Sequence, residues 1–142
     1  MTYPPLAPSS ALEASSAFRR AVRAGTASPQ MEEARIAYLL ERIYNSPYNF
    51  IRNEGRYHGK RAWIHLKWKQ IRNRKHIQTA EDFIRKAATG SKASGRAYVI
   101  EFDNKKREPL GPILLNELDL FDRAVEKRKK LMAETVETKK IR

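Results

Sequence analysis

Cationic side chains dominate residues 50–75 and give this segment the clearest chemical character in the chain. Nine lysines and arginines lie there against one acid, Glu54. Guanidinium and ammonium groups form charge-assisted hydrogen bonds with carboxylates and phosphates, so this composition favours binding of an anion. The candidate anion-binding cations are Arg52, Lys60, Lys67 and Lys69.

His65 lies within the same segment and is a candidate hydrogen-bonding or acid–base residue, because an unperturbed imidazole titrates near neutrality. A single histidine without a partner specifies no reaction, so a packed or capping histidine is the favoured interpretation. Arg52 and Asn53 also have two interpretations. They could bind an anion, or Arg52 could brace the fold by pairing with Glu81 or Asp82 while Asn53 closes a turn.

Ser91 and Ser94 lie in a loop of small residues and could donate hydrogen bonds to an anion. No phosphate-loop pattern surrounds them, which favours a turn between a helix and a strand. An enzyme would require His65, Asn53 and the 91–95 loop to meet in one cleft. The serines have no recognisable base or oxyanion arrangement, so the sequence favours a non-enzymatic module with no cofactor and no metal.

Aromatic residues lie among the cations, and this combination indicates nucleic acid as the alternative ligand. Lys60, Lys67 and Arg74 recur every seven residues on the predicted helix 58–75 and could follow a phosphate backbone. An exposed tryptophan could stack on a base, although we expect Trp63 and Trp68 to pack inward. No known nucleic-acid-binding motif is evident in the sequence.

Composition limits the remaining classes of protein. The 142 residues contain no cysteine, which excludes disulfides, thiolate metal sites and cysteine nucleophiles. The net charge of +13 favours anionic partners: an anionic ligand or protein, or nucleic acid. No run approaches the roughly 18 apolar residues that a membrane-spanning helix needs, so we expect a soluble protein without a transmembrane segment.

Local patterns predict the elements that position these residues. Ser28-Pro29 begins one helix, and Thr79-Ala80-Glu81-Asp82 has the form of a capping box. Other helices are predicted from about His58 to Arg72 and from about Ile113 to Met132, and 98–102 is typical of a strand. We therefore expect an α+β fold that is mainly helical, with three to four helices packed with a small antiparallel β-hairpin. Its predicted parts are a flexible N-terminal arm (1–28), one compact domain (29–133) and a charged C-terminal tail (134–142).

Several separate motifs follow one another in a recognisable order between Glu33 and Leu118. They are Glu33-Ala34-Arg35-Ile36, Phe50-Ile51-Arg52-Asn53 with Gly55, His65-Leu66, Lys69, Thr79-Ala80-Glu81-Asp82-Phe83-Ile84, and Ser94-Gly95 with Tyr98. In these motifs the chain resembles the YfeK-like family, small bacterial proteins of unknown function that are usually exported to the periplasm. The resemblance implies a shared fold and no established reaction.

Three departures from the family bear on any ligand. Glu54 is inserted where the family usually reads Arg-Asn-Gly, and Lys60-Arg61 replace positions that are often acidic. The serine-rich loop has lost serines at Gly90 and Lys92, so a ligand set on that loop or on the predicted helix 58–75 need not carry over. The absence of a recognisable leader favours the cytoplasm, whereas the resemblance favours the periplasm if the sequence is a mature form.

Overall fold

The computed structural model describes residues 4–7, 12–91 and 94–141, in which helices pack against one antiparallel sheet. The helices are α1 (Ser16–Arg23), α2 (Pro29–Tyr44), α3 (Gly59–Arg72), α4 (Ala80–Phe83) and α5 (Leu110–Ile141). The strands are β1 (Asn49–Arg52), β2 (Gly55–Tyr57), β3 (Val99–Glu101) and β4 (Arg107–Pro109), in the order β2-β1-β3-β4. In this part of the chain, no helix combines the length and the apolar character needed to cross a membrane.

The mainly helical α+β fold is confirmed, but its details differ from the prediction. The described residues form five helices and a four-stranded sheet in place of three to four helices and a hairpin. The short strand β2 has no alternation of apolar and polar residues that could reveal it. The return strand β4 lies at the sheet edge, where its Pro109 is tolerated.

The predicted helix starts at Ser28 and Thr79 are confirmed. Ser28 Oγ accepts a hydrogen bond from the Met31 backbone N–H at 3.1 Å, and Pro29 is the first helical residue. Thr79 and Asp82 form a reciprocal capping box. Hydrogen bonds from the backbone N–H groups of Gln78 and Thr79 lower the pKa of Asp82. The helix that follows does not stay regular, because α4 continues as a π-helical turn over Ile84–Ala88.

The hairpin between β1 and β2 turns through only two residues, Asn53 and Glu54. Both have positive φ, 49° and 72°, and Arg52 pairs with Gly55. Positive φ at both central positions matches the right-handed twist of the flanking strands. A glutamate therefore occupies a conformation that glycine or asparagine adopts more readily.

Two hydrophobic clusters hold the elements together. The larger one joins α2, α3, α4, the central strands and the first turns of α5, and includes Leu39, Leu66 and Phe83. The smaller one joins α1, α2 and α5, where the Tyr38 and Phe121 rings stack with centroids 4.3 Å apart. The larger cluster fixes the position of α3 against the sheet.

Part of the predicted N-terminal arm packs on the domain. Leu6 is 0% exposed, and its backbone N–H donates to Glu117 Oε1 at 2.7 Å. Glu117 also forms a buried ion pair with Arg42 at 3.1 Å, and Arg42 donates to the Ala7 carbonyl. Helix α1 lies within the same predicted arm and contributes Phe18 to the smaller cluster. The division of the chain at residue 29 stays a prediction.

Helix α5 is longer than predicted, since it continues past Met132 to Ile141. The residues from 130 to 139 are exposed, and they include strong helix formers such as Ala133 and Glu134. Thr135 and Thr138 donate from their hydroxyls to carbonyls one turn earlier. Helix propensity therefore accounts for the helical conformation of a segment whose charge pattern alone predicts a C-terminal tail.

Candidate anion-binding site

A cleft of about 410 Å³ opens between the β1–β2 hairpin and one face of α3. Three arginines line it, Arg52 from β1 and both Arg61 and Arg72 from α3. Among the described residues, no Asp or Glu belongs to this lining. The cleft therefore carries concentrated positive charge, which a ligand of opposite charge would neutralise.

Strand pairing brings Arg52 and Tyr98 together. Strands β1 and β3 are antiparallel, with Ile51 opposite Val99, and the same register continued by one residue places Tyr98 opposite Arg52. Helix α3 then adds His65 and Lys69 from above the sheet. The sheet and α3 thus contribute to one polar cluster. We call it the Tyr98 cluster, and its members are Arg52, His65, Lys69 and Tyr98.

The hydrogen bonds of the Tyr98 cluster run from donor to acceptor toward the Tyr98 hydroxyl. Arg52 Nη1 lies 3.4 Å from His65 Nδ1, and because arginine can only donate, Nδ1 is the acceptor. His65 Nε2 then carries the proton and donates to the Tyr98 hydroxyl at 3.0 Å. Lys69 Nζ donates to the same hydroxyl at 3.0 Å and to the Gly90 carbonyl at 3.0 Å. Among the described residues, every group hydrogen-bonded to the Tyr98 hydroxyl is therefore a donor.

The surroundings keep His65 neutral and Tyr98 protonated at neutral pH. Burial, followed by the charges of Arg52, Lys69 and Arg72, lowers the pKa of His65 to about 4. Burial raises the pKa of the Tyr98 phenol above its ordinary value. Both groups can therefore donate a hydrogen bond without adding charge to the cluster.

Arg52 is not braced in the way that the sequence suggested. Glu81 pairs with Arg35 at 2.8 Å, and Asp82 pairs with Arg85 at 2.8 Å. Arg52 instead bonds His65 through Nη1 and also hydrogen-bonds the Tyr98 side chain. Arg52 Nε is buried and has no hydrogen-bond partner in this part of the chain. A buried N–H without an acceptor costs roughly 1–3 kcal/mol, so an acceptor at this edge of the guanidinium would be stabilised.

The other predicted site residues lie outside the cleft lining. Ser94 Oγ donates to Asn53 Oδ1 at 2.5 Å, which ties the 91–95 loop to the hairpin turn. The backbone of Ser91 bonds Arg96 and Gly95, as a helix-to-strand turn requires. His65 belongs to the described lining of the cleft, whereas Asn53, Ser91 and Ser94 do not.

Lys60 and Lys67 lie on α3 but do not line the cleft in the described structure. Lys60 Nζ lies 5.7 Å from the centre of the Tyr44 ring, and Lys67 is exposed. Of the predicted site residues, the structure brings together Arg52, His65 and Lys69. Hydrogen bonds join them to one another or to the Tyr98 hydroxyl, which makes the cleft the best candidate for a functional site.

One known protein family matches the part of the sequence that contains the cleft. The model of DUF5329, a family of unknown function, matches residues 30–122. The chain belongs to DUF5329. No curated protein and no solved structure matches it. The DUF5329 region contains the whole Tyr98 cluster and the cleft lining, and the more specific resemblance to the YfeK-like family stays a prediction.

Sequence reasoning missed part of the DUF5329 cleft. Arg61, Ile64, Trp68 and Arg72 share one face of α3 because each follows the one before by about one helical turn. Helical periodicity could have grouped them with His65. The expectation that Trp68 packs inward is wrong, since 56% of this residue is exposed. Trp63 is partly buried against the larger cluster, as expected.

Proposed function

We propose that this DUF5329 protein is a non-enzymatic binding module that recognises an anionic ligand in the cleft beside α3. The Tyr98 cluster supports the proposal most strongly, because its hydroxyl is surrounded by donors and its neighbours are cationic. A ligand oxygen would accept from Arg52 and Tyr98 and would lie within the field of Arg61 and Arg72. Binding of this kind uses charge-assisted hydrogen bonds and changes no covalent bond.

The arrangement of donors favours a specific anion over diffuse attraction. Lys69 is 8% exposed and is held by two hydrogen bonds, and the His65 ring is fixed between Arg52 and Tyr98. These contacts place the donors before the ligand arrives, which lowers the ordering cost of binding. In the described part of the chain, the exposed Lys67 of α3 has no comparable hydrogen bonds.

Calorimetric titration with sodium acetate and with inorganic phosphate at low ionic strength tests the proposal. Arg52→Gln removes one charged donor from the cleft, and the expected loss of affinity is about 10-fold or more. Lys67→Gln removes the same charge from an exposed position outside the cleft lining and serves as the matched control, with a change within about 2-fold. Equal losses in both variants, or no binding of either anion to the wild type, would overturn the proposal.

Nucleic-acid binding is the second candidate, and the exposure of Trp68 favours it. An exposed indole beside a row of cations could stack on an unpaired base. This candidate requires many dispersed cations, so Lys60→Gln and Lys67→Gln should each weaken binding to short random DNA and RNA. It also requires affinity to fall steeply with salt. If the Lys67→Gln variant retains wild-type binding across a salt series, the row of exposed lysines has no such role.

A further inference from the structure

The cleft has an apolar side as well as a cationic side. Ile64 and Trp68 line it from α3 and remain 48% and 56% exposed, and Phe50 and Tyr57 line it from the hairpin. When a partner covers large apolar side chains on a surface, their removal from water lowers the free energy. A small inorganic anion would satisfy the donors and would leave this apolar side uncovered.

The Nε donor of Arg52, unpartnered in the described structure, indicates the shape of the acidic group. Its Nη1 is occupied by His65, whereas Nε is without a partner among the described residues. The Nε and Nη2 donors of a guanidinium point the same way and match the two oxygens of a carboxylate. The Tyr98 hydroxyl supplies a further donor to one of these oxygens.

We infer that the cleft takes an organic carboxylate attached to a planar apolar body. The carboxylate lies at Arg52 and Tyr98, and the apolar body covers Ile64 and stacks on the indole of Trp68. The inference rests on the proposed function and names the class of ligand for the same site. The volume of about 410 Å³ is within the usual range for small-molecule sites.

Three probes separate the contributions of charge and of the apolar body. 2-Naphthoate carries both, acetate carries only the carboxylate, and 2-naphthamide keeps the ring system without the charge. Calorimetric titration of the full chain should show that 2-naphthoate binds at least about 10-fold tighter than either of the others. Trp68→Ala should weaken 2-naphthoate about 5- to 10-fold and leave acetate unchanged.

Ile71 offers a matched control for Trp68. It is 47% exposed on the same helix and does not belong to the described cleft lining, so Ile71→Ala should leave 2-naphthoate affinity within about 2-fold of wild type. Equal affinities for acetate and 2-naphthoate, or no effect of Trp68→Ala, would overturn the inference and leave the anion-binding function standing. Failure of every anion to bind would overturn both. Binding of 2-naphthamide as tight as that of 2-naphthoate would show that the carboxylate has no role.

Discussion

Protonation of His65 should destabilise the protein as the pH falls from about 6.5 to about 4. The folded protein holds the imidazole among Arg52, Lys69 and Arg72, and burial with these charges lowers its pKa from 6.5 to about 4. The unfolded chain takes up this proton at higher pH than the folded protein does. Because the unfolded state binds more protons within this window, the free energy of unfolding decreases as the pH falls through it. Above this pH range, His65 is neutral in both states, so it adds no pH dependence to the free energy of unfolding.

The size of this effect follows from the two pKa values of His65. The gap between 6.5 and about 4 corresponds to about 3 kcal/mol, at about 1.4 kcal/mol for each pH unit. The imidazole is only partly buried, and solvent screens the repulsion from its neighbours. We therefore expect an observed difference of about 1–2 kcal/mol between pH 7 and pH 4.

Urea unfolding of the wild type and of His65→Gln near pH 7 and near pH 4 measures this difference. Glutamine can still accept from Arg52 and donate to Tyr98, but it cannot take up a proton. Carboxylates with lowered pKa values, such as Glu81, lose stabilisation at low pH in both proteins, so their contribution cancels. The wild type should lose about 1–2 kcal/mol more than the variant on acidification. Losses that agree within about 0.5 kcal/mol would refute the reasoning.

Three further variants test the backbone and the buried ion pair by equilibrium unfolding. Gly59→Ala should destabilise the protein by about 2 kcal/mol, because a Cβ there would overlap the Ile43 carbonyl oxygen; unchanged stability would contradict this packing. Glu54→Gly should stabilise it by about 1 kcal/mol by relieving positive φ, and a loss would show that the residue is not strained. Glu117→Ala should cost about 3–5 kcal/mol by removing the buried carboxylate that pairs with Arg42, and should expose the N-terminal segment to proteolysis. Wild-type stability and protease resistance in this variant would argue against the buried pair.

The sequence reveals those elements whose determinants lie close together along the chain. Ser28 and Thr79 begin helices because their side chains bond backbone groups only three residues away. The π-helical turn over Ile84–Ala88 contacts the distant helices α3 and α5, whereas the strand at Arg56 pairs with its neighbour β1 across a two-residue turn. Nothing in their local composition distinguishes them from a regular helix and a loop.

The candidate site divides in the same way. Arg52, His65 and Lys69 are visible in the sequence because they belong to a basic segment. Tyr98 is assigned only to a strand, because its role depends on the register between β1 and β3, which places it opposite Arg52. The exposure of Trp68 is equally invisible, since residue type favours burial and only the packing of α3 shows which face remains open.

Chemical-shift mapping by NMR tests most directly whether an anion binds in the cleft. The protein, labelled with ¹⁵N and ¹³C, is titrated with sodium acetate against sodium chloride of the same ionic strength, and the side-chain signals of Arg52 and His65 and the ring signals of Tyr98 are followed. We predict saturable shifts at these three residues that chloride does not reproduce. Shifts confined to exposed lysines such as Lys60 and Lys67, or shifts that chloride matches, would contradict the assignment of the cleft as the binding site.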